Sequence, residues 1–305
     1  MNFKNKKILV TGGAGFLGRH IVQRLLSDGV PQKNILVPRS KECNLLIWAN
    51  CKRAVEGVDL VIHTAAVTGG VRIHLEEPGR IFYDNLVMGA QLMEAARQEE
   101  VKKFITIGSV TEYPVNVELP LKETKLWNGP MDEVHLAYAT AKKALLVQSQ
   151  VYRKQYSFNG IHLLMTNMYG PGDELTGTVI PVFARLISEA QKRKEASITI
   201  PINTESKRDF LYVEDAVEAV LLAAEHYDSP EPVNIASGDA ISMEALVQLM
   251  ARLFNFQGEL RFNGFQEARV VSRIIDVGRA EKEFGFKAST DLEAGLEATV
   301  KSYKF

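Results

Sequence analysis

Cysteine is nearly absent from this chain of 305 residues, which has only Cys43 and Cys51. Two thiols cannot frame a disulfide scaffold, and with no Cys-x-x-Cys or Cys/His cluster they offer no zinc site. They read as ordinary thiols of a reducing compartment. An excess of one charge is also missing. The 36 Lys+Arg are matched by 37 Asp+Glu, which argues against a protein that lives on nucleic acid through counterion release. Long hydrophobic runs are lacking as well. No stretch approaches the roughly 18 apolar residues of a membrane span. The amino-terminal run Ile8-Leu9-Val10 is too short for a signal-peptide core. The expectation is a soluble, cytoplasmic protein with no nucleic-acid or membrane partner and no metal.

The composition is that of a globular chain, 46% hydrophobic and 24% charged. Its length exceeds a typical single core, so one large domain or two smaller ones are expected. Lys7–Thr11 is a short apolar run that ends in glycine and predicts a buried strand. Phe16–Leu26 carries apolar residues on one helical face, with Gly29 as its C-terminal stop. Further strands are predicted at Asn34–Val37, Val58–His63, Phe104–Gly108 and Ile161–Met165, and helices at Arg80–Gln98 and Tyr138–Gln155. Alternating strands and helices imply βαβ units and a doubly wound parallel α/β sheet of the Rossmann type.

Beyond about residue 170 this rhythm loosens. Helices are predicted near Ile180–Lys194, Ser242–Phe254 and Leu292–Tyr303. Leu246, Leu249, Met250 and Phe254 read as core. The expected organisation is a dinucleotide-binding domain over 1–170 and a smaller α/β substrate domain over 171–305, with strand exchange between them possible.

The loop Gly12-Gly13-Ala14-Gly15-Phe16-Leu17-Gly18 joins the first strand to the first helix. Glycines at 12, 15 and 18 remove side chains that would keep a diphosphate from the helix N-terminus, where free N–H groups and the helix dipole favour an anion. An acidic residue about 20 residues further on would select the 2′-hydroxyl of NAD. The second strand ends instead in Val37-Pro38-Arg39-Ser40-Lys41. Arg39 can fork onto a 2′-phosphate and Ser40 can add a hydrogen bond, so NADP(H) is favoured and NAD(H) stays open. A solvated loop arginine is the plainer alternative.

Tyr138 and Lys142 stand four residues apart, on one face of a helix. A phenol near pKa 10 exchanges protons poorly at neutral pH, and a neighbouring ammonium is expected to favour the phenolate. Ser109 ends the fourth strand, where a hydroxyl points into the crevice in which doubly wound folds bind ligands. His63 lies beside the expected cofactor region. His74 and His135 lie near the crevice, while His20, His162 and His226 read as structural or surface residues.

These motifs resemble those of the extended short-chain dehydrogenase/reductase family over essentially the whole chain. The resemblance adds Thr166–Pro171, Arg208–Ala216 and Asp276 with Phe284-Gly285-Phe286 to the glycine loop, Ser109 and the Tyr138/Lys142 pair. Within the family the chain looks most like the GDP-L-fucose synthase branch, through Ala65–Val71, Gly108–Pro114 and Val179-Ile180-Pro181.

The resemblance implies that Tyr138 donates a proton to a sugar C4 oxygen and that Ser109 polarises the carbonyl. Lys142 would hold the nicotinamide ribose and tune Tyr138. Ala65 and Ala66 would line the cofactor. Thr111, Asn167, Thr178, Val179, Arg185 and Arg208 would meet a nucleotide-diphosphate sugar. A homodimer through Arg80–Gln98 and Tyr138–Gln155 is also implied.

Two positions depart from that branch. The cysteine expected two residues after the serine is Thr111, and the histidine expected just before Val-Ile-Pro is Thr178. Threonine does not titrate near neutral pH, so neither can readily exchange protons at C3 and C5. The Asp-Glu pair of the family's dehydratases is replaced by Val110 and Thr111.

The expected activity is therefore NADPH-dependent reduction of a nucleotide-activated 4-keto-6-deoxy sugar, with GDP favoured, and without epimerisation. The alternatives are a 4-epimerase that retains NAD, an epimerase-reductase, and a non-catalytic dinucleotide sensor.

Overall fold

The computed structural model describes residues 3–173, 177–264 and 272–303. Strand β1 (Ile8–Thr11), helix α1 (Phe16–Ser27) and strand β2 (Ile35–Leu36) open the chain. They are followed by α2 (Trp48–Val55), β3 (Leu60–His63), α3 (Val71–Glu76), α4 (Pro78–Gln98), β4 (Lys103–Ser109), α5 (Leu136–Tyr156) and β5 (Gly160–Met165). Beyond these come β6 (Asn167–Tyr169), α6 (Val179–Lys192), β7 (Ser197–Ile200), β8 (Lys207–Tyr212) and α7 (Val213–His226). The chain closes with β9 (Val233–Ile235), β10 (Ala240–Ser242), α8 (Met243–Leu253), β11 (Glu259–Phe262), α9 (Gly278–Phe284) and α10 (Leu292–Ser302).

Six strands form one parallel sheet in the order β2-β1-β3-β4-β5-β9. Both of its faces are covered, which is why these strands are apolar throughout rather than alternating. Within each strand successive side chains still go to opposite layers. Ile8, Val10, Leu60, Ile62, Ile105 and Ile107 pack with Leu17, Ile21 and Leu25 of α1 and the alanine-rich face of α7. Leu9, Val61 and Phe104 pack on the other side with Cys51 of α2, Leu92 and Met93 of α4, and Leu145 of α5.

The predicted doubly wound sheet is present, with elements the sequence reading did not assign, α2 and β9 among them. Helix α2 is short, and its apolar face amounts to little more than the buried Cys51 and Val55. Strand β9 has three buried residues and pairs with β5, so the central sheet takes its sixth strand from beyond residue 170. The segment 209–226 resolves into the end of β8 and helix α7, and α7 packs against α1.

The remaining strands make a three-stranded sheet, β10-β8-β6, and a parallel pair, β11-β7. With α6, α8 and α10 they enclose a second core that contains Leu246, Leu249, Met250 and Phe254. Among the described residues no helix is long and apolar enough to cross a membrane.

Candidate active site

The order of the sheet reverses at β1 and β3, and ligands of doubly wound folds bind at such a switch, outside the carboxyl ends of the strands. The glycine loop lies there. Gly12 sits at φ +68, and a Cβ on it would fall 2.7 Å from both the Ala65 nitrogen and the Thr64 Oγ1. Gly18 is tighter still, because its Cβ would lie 2.2 Å from the Gly12 carbonyl oxygen. These contacts press α1 and the loop after β3 onto the end of β1, with Gly15 at the α1 N-cap. The unpaired first amides of α1 remain for an anion.

Beside the loop is a cleft of about 320 Å³, lined among others by Thr11, Gly12, Gly15, Arg39, Ser40 and Ala65. Arg39 and Ser40 are exposed at this cleft. Cys43 lines it too, a placement the sequence did not suggest. The glycine cradle, the free helix end and the cationic rim fit a dinucleotide. Leu17 is a core residue, whereas Phe16 meets His20 edge-on at 5.6 Å.

The loop that holds Ala65 and Ala66 is locked from behind by Asn85. This buried side chain on α4 accepts the Val67 N–H at 2.9 Å and donates to the carbonyls of Val67 and Ile81. Nothing in its sequence context singles Asn85 out; only the fold sets it behind the loop. His20 and Arg19 on α1 reach across to the carbonyls of Pro171 and Gly172, joining the cofactor helix to the turn after β6.

Helix α5 packs on the short turn after β4, which brings Tyr138 and Lys142 to the Ser109 side of the crevice. Lys142 is buried and donates from Nζ to the Ile107 carbonyl at 2.8 Å. Its Nζ lies 5.6 Å from the centre of the Tyr138 ring. Burial lowers the Lys142 ammonium to about 8, opposed by the Glu112 carboxylate.

The phenol behaves differently from the sequence expectation. Tyr138 is half-buried as a residue, yet its desolvated hydroxyl is pushed above the ordinary phenol value, and the charge of Glu112 adds to the rise. The neighbouring ammonium does not reverse this, because desolvation penalises the phenolate more. A phenol that keeps its proton is suited to donating it.

Ser109 Oγ accepts the Thr111 N–H at 3.2 Å and the Thr111 hydroxyl at 2.9 Å. With those two bonds accepted, the serine's own hydrogen is free to donate to a ligand oxygen. His74 is buried beside the pair, edge-on to Tyr138 at 5.8 Å and 4.8 Å from the ring of His135. Burial and His135 lower its pKa, partly offset by the Gly69 backbone and Asp132. Its Nδ1 has no hydrogen-bond partner among the described residues.

Thr178 is the N-cap of α6 and Val179 opens that helix. This entrance lies against the loop after β3, since a Cβ on Gly70 would be 2.6 Å from the Gly177 Cα. Asn167 of β6 donates to the Asp209 carbonyl at 3.1 Å. Arg208 of β8 is bridged through its backbone to Arg273, an arginine that sequence reasoning did not single out. Burial, with the charge of Arg273, lowers Arg208 to about 10. Two arginines bridged on neighbouring segments, Arg208 half-buried and Arg273 buried, suit a diphosphate. Arg185 is exposed on α6 and shares no hydrogen bond or ion pair with this set among the described residues.

His63 closes β3 fully buried, with Nδ1 at 2.8 Å from the Thr11 hydroxyl. Burial, then Lys142, lowers it to about 3. Its folded value lies below the unfolded value of about 6.5. The unfolded chain therefore binds the extra proton, and stability is lost as pH falls from that value towards 3. We expect this group to remove about 1.4 kcal/mol per pH unit across the window. Urea denaturation at several pH values should show a shallower fall for His63→Asn than for the unaltered protein. Equal slopes would refute the assignment.

A glycine cradle at a sheet's switch point, with a Tyr–Lys pair and a strand-end serine at the carboxyl ends of the same sheet, defines a dinucleotide-dependent α/β oxidoreductase of the short-chain dehydrogenase/reductase type. The chain belongs to the NAD dependent epimerase/dehydratase family, whose model matches residues 8–236. It is 30% identical over 303 residues to the GDP-L-fucose synthase of Sinorhizobium fredii, a match covering 98% of this chain and 95% of that one. It is 24% identical to the GDP-L-colitose synthase of Yersinia pseudotuberculosis, with 97% of each chain covered. The fold matches a GDP-mannoheptose C4 reductase from Campylobacter jejuni with NADP bound, at a TM-score of 0.90 and 24% identity over 99% of both chains.

Proposed function

We propose that the protein reduces the C4 ketone of a nucleotide-diphosphate 4-keto-6-deoxy sugar with NADPH and leaves C3 and C5 unepimerised. The relatives named for GDP-sugars favour GDP as the nucleotide. The observation that carries the reading is the state of Thr111. Where the fucose synthase branch is expected to hold a titrating thiol, this chain has a hydroxyl that donates to Ser109 at 2.9 Å. It supports the serine and has no proton to exchange near neutral pH. Thr178, at the second such position, is equally unable to titrate.

NADPH, when bound, supplies the hydride. The chain's own groups do the rest. Tyr138 donates its retained proton to the C4 oxygen, and Ser109 donates a hydrogen bond to the same oxygen as negative charge develops there. Lys142, anchored on Ile107, holds a positive charge beside the phenol that loses the proton. Arg39 and Ser40 receive the 2′-phosphate, while Arg208, with Arg273, receives the substrate diphosphate. A homodimer is part of this reading, because α4 and α5 expose Phe82, Tyr83, Val147 and Val151.

The test is turnover with a panel of nucleotide 4-keto-6-deoxy sugars in deuterated water, with NADPH and NADH compared. We expect NADPH consumption with at least one GDP-linked sugar and no deuterium at C3 or C5. Deuterium at either carbon would restore epimerisation. Tightly bound NAD, with sugars interconverted without added cofactor, would replace the reading by a 4-epimerase.

A further inference from the structure

Directly beneath Ser109 lies an ionisable pair that the chemistry above does not use. Glu112 ends the short turn after β4, and His162 lies on β5; both side chains are completely buried. A carboxylate out of water costs several kcal/mol unless it is paired and hydrogen-bonded. Glu112 is both. Its Oε1 accepts the Ser109 N–H at 2.8 Å, and His162 Nε2 lies 3.1 Å from each carboxylate oxygen. Ser109 in turn caps the turn by accepting the Thr111 N–H, so serine and glutamate hold one another reciprocally.

The surrounding sequence makes room for the pair. A Cβ on Gly108 would lie 2.2 Å from His162 Nε2 and 2.6 Å from Glu112 Oε1, so the strand end must be bare for the pair to sit under it. Among the described residues His162 Nδ1 has no partner, and neither does the hydroxyl of Thr106, its neighbour in the β4–β5 register. The groups that face Glu112 are Tyr138, Lys142 and Lys143 from α5, His162 from β5, and Tyr113 with Glu123 behind it. Its charge favours the protonated form of Tyr138, Lys142 and Lys143 alike.

We propose that the Glu112–His162 pair is a positioning unit for the carbonyl reduction: it fixes the Ser109 backbone and presents a buried negative charge to Tyr138 and Lys142. This rests on the reductase reading above. Glu112 touches neither substrate nor cofactor and acts through Ser109 and the charges around it.

Glu112→Gln separates the two parts of the role. The amide keeps an acceptor for the Ser109 N–H and removes the charge, and His162 can shift its proton to the vacant Nδ1. Glu112→Leu removes both. Thermal melting checks that each variant folds. In Glu112→Gln the sugar KM and NADPH affinity should stay near those of the unaltered enzyme. The basic side of its kcat profile should move to lower pH by about one unit, a like charge having been withdrawn from the phenol. Glu112→Leu should lower kcat at every pH.

Hydrogen exchange provides a readout that needs no substrate. In Glu112→Leu the amides of 104–113 should exchange at least about tenfold faster, as an unbonded amide does when a bond of about 1.4 kcal/mol is lost. In Glu112→Gln they should not. If no sugar in the panel is reduced by the unaltered protein, the reductase reading falls, and exchange alone decides whether Ser109 is held as described. Unchanged exchange in Glu112→Leu, or unaltered kinetics and pH profile in Glu112→Gln, would overturn the proposal.

Discussion

Replacing Tyr138 by phenylalanine should lower kcat for the keto sugar by about 10²–10⁴-fold while dinucleotide binding stays nearly unchanged. The phenol retains a transferable proton, being held above its ordinary value by burial and by Glu112. Removing the hydroxyl leaves the ring, and with it the edge contact to His74 and the packing of α5, in place. The loss should therefore fall on the chemical step. Steady-state rates with a fluorescence titration of NADPH separate the two effects. A variant that reduces the sugar at the original rate would show that the proton comes from elsewhere, and His74 would be the first group to examine. Weakened cofactor binding with an unchanged rate would instead assign Tyr138 to binding.

Gly18→Ala should raise the NADPH dissociation constant by about tenfold or more, the equivalent of about 1.4 kcal/mol. The added methyl would sit 2.2 Å from the Gly12 carbonyl oxygen and 2.7 Å from the Gly13 Cα. Both neighbours are backbone, so neither can swing aside as a lysine would. The loop or the helix must move, and the amides of α1 lose their aim at the diphosphate. Overpacking of this kind costs about 1–3 kcal/mol, and a chain of this size should melt several degrees lower, by about 2–4 °C per kcal/mol.

Gly79→Ala is the matched control. It lies in the first turn of α4, and a Cβ there meets nothing within 4 Å. Its melting temperature should stay the same or rise slightly, with cofactor affinity intact. If Gly18→Ala behaved like Gly79→Ala, the close approach of loop and helix would not be what shapes the site.

The parts of this protein legible in its sequence are those written as local patterns. Strands buried on both faces are short apolar runs, so β1, β3, β4 and β5 lie within a residue or two of their predicted bounds. The Tyr138/Lys142 pair and the glycine loop are legible because chemistry needs those residue types at fixed spacing. Strand β9 is not legible because three residues carry too little periodicity, and its pairing with β5 joins positions about 70 residues apart in register.

The candidate site residues divide in the same way. Ser109, Gly12, Gly18 and Lys142 could be placed by motif. Asn85, Arg273 and the Glu112–His162 pair could not, since an asparagine in a helix or a glutamate after a strand reads as a solvated group. Each acquires its role from a partner distant in the chain: Val67 for Asn85, Arg208 for Arg273, His162 for Glu112.

The scarcity of cysteine and the balance of charge already set limits. They put no thiol at position 111, where the resemblance leads one to expect it, and give no net charge of one sign. The alternation of strand and helix and the glycine spacing then specified a dinucleotide fold, because hydrophobic period and steric bareness are local properties. Whether Tyr138 would lose or keep its proton was not a local property. Spacing alone suggested a phenol readied by its lysine. In the folded protein desolvation and a glutamate brought up beneath Ser109 outweigh that ammonium, because in a site shut off from water the cost of an unsolvated phenolate exceeds the gain from one nearby charge. Burial, which no run of residues spells out, is what keeps the proton on this tyrosine.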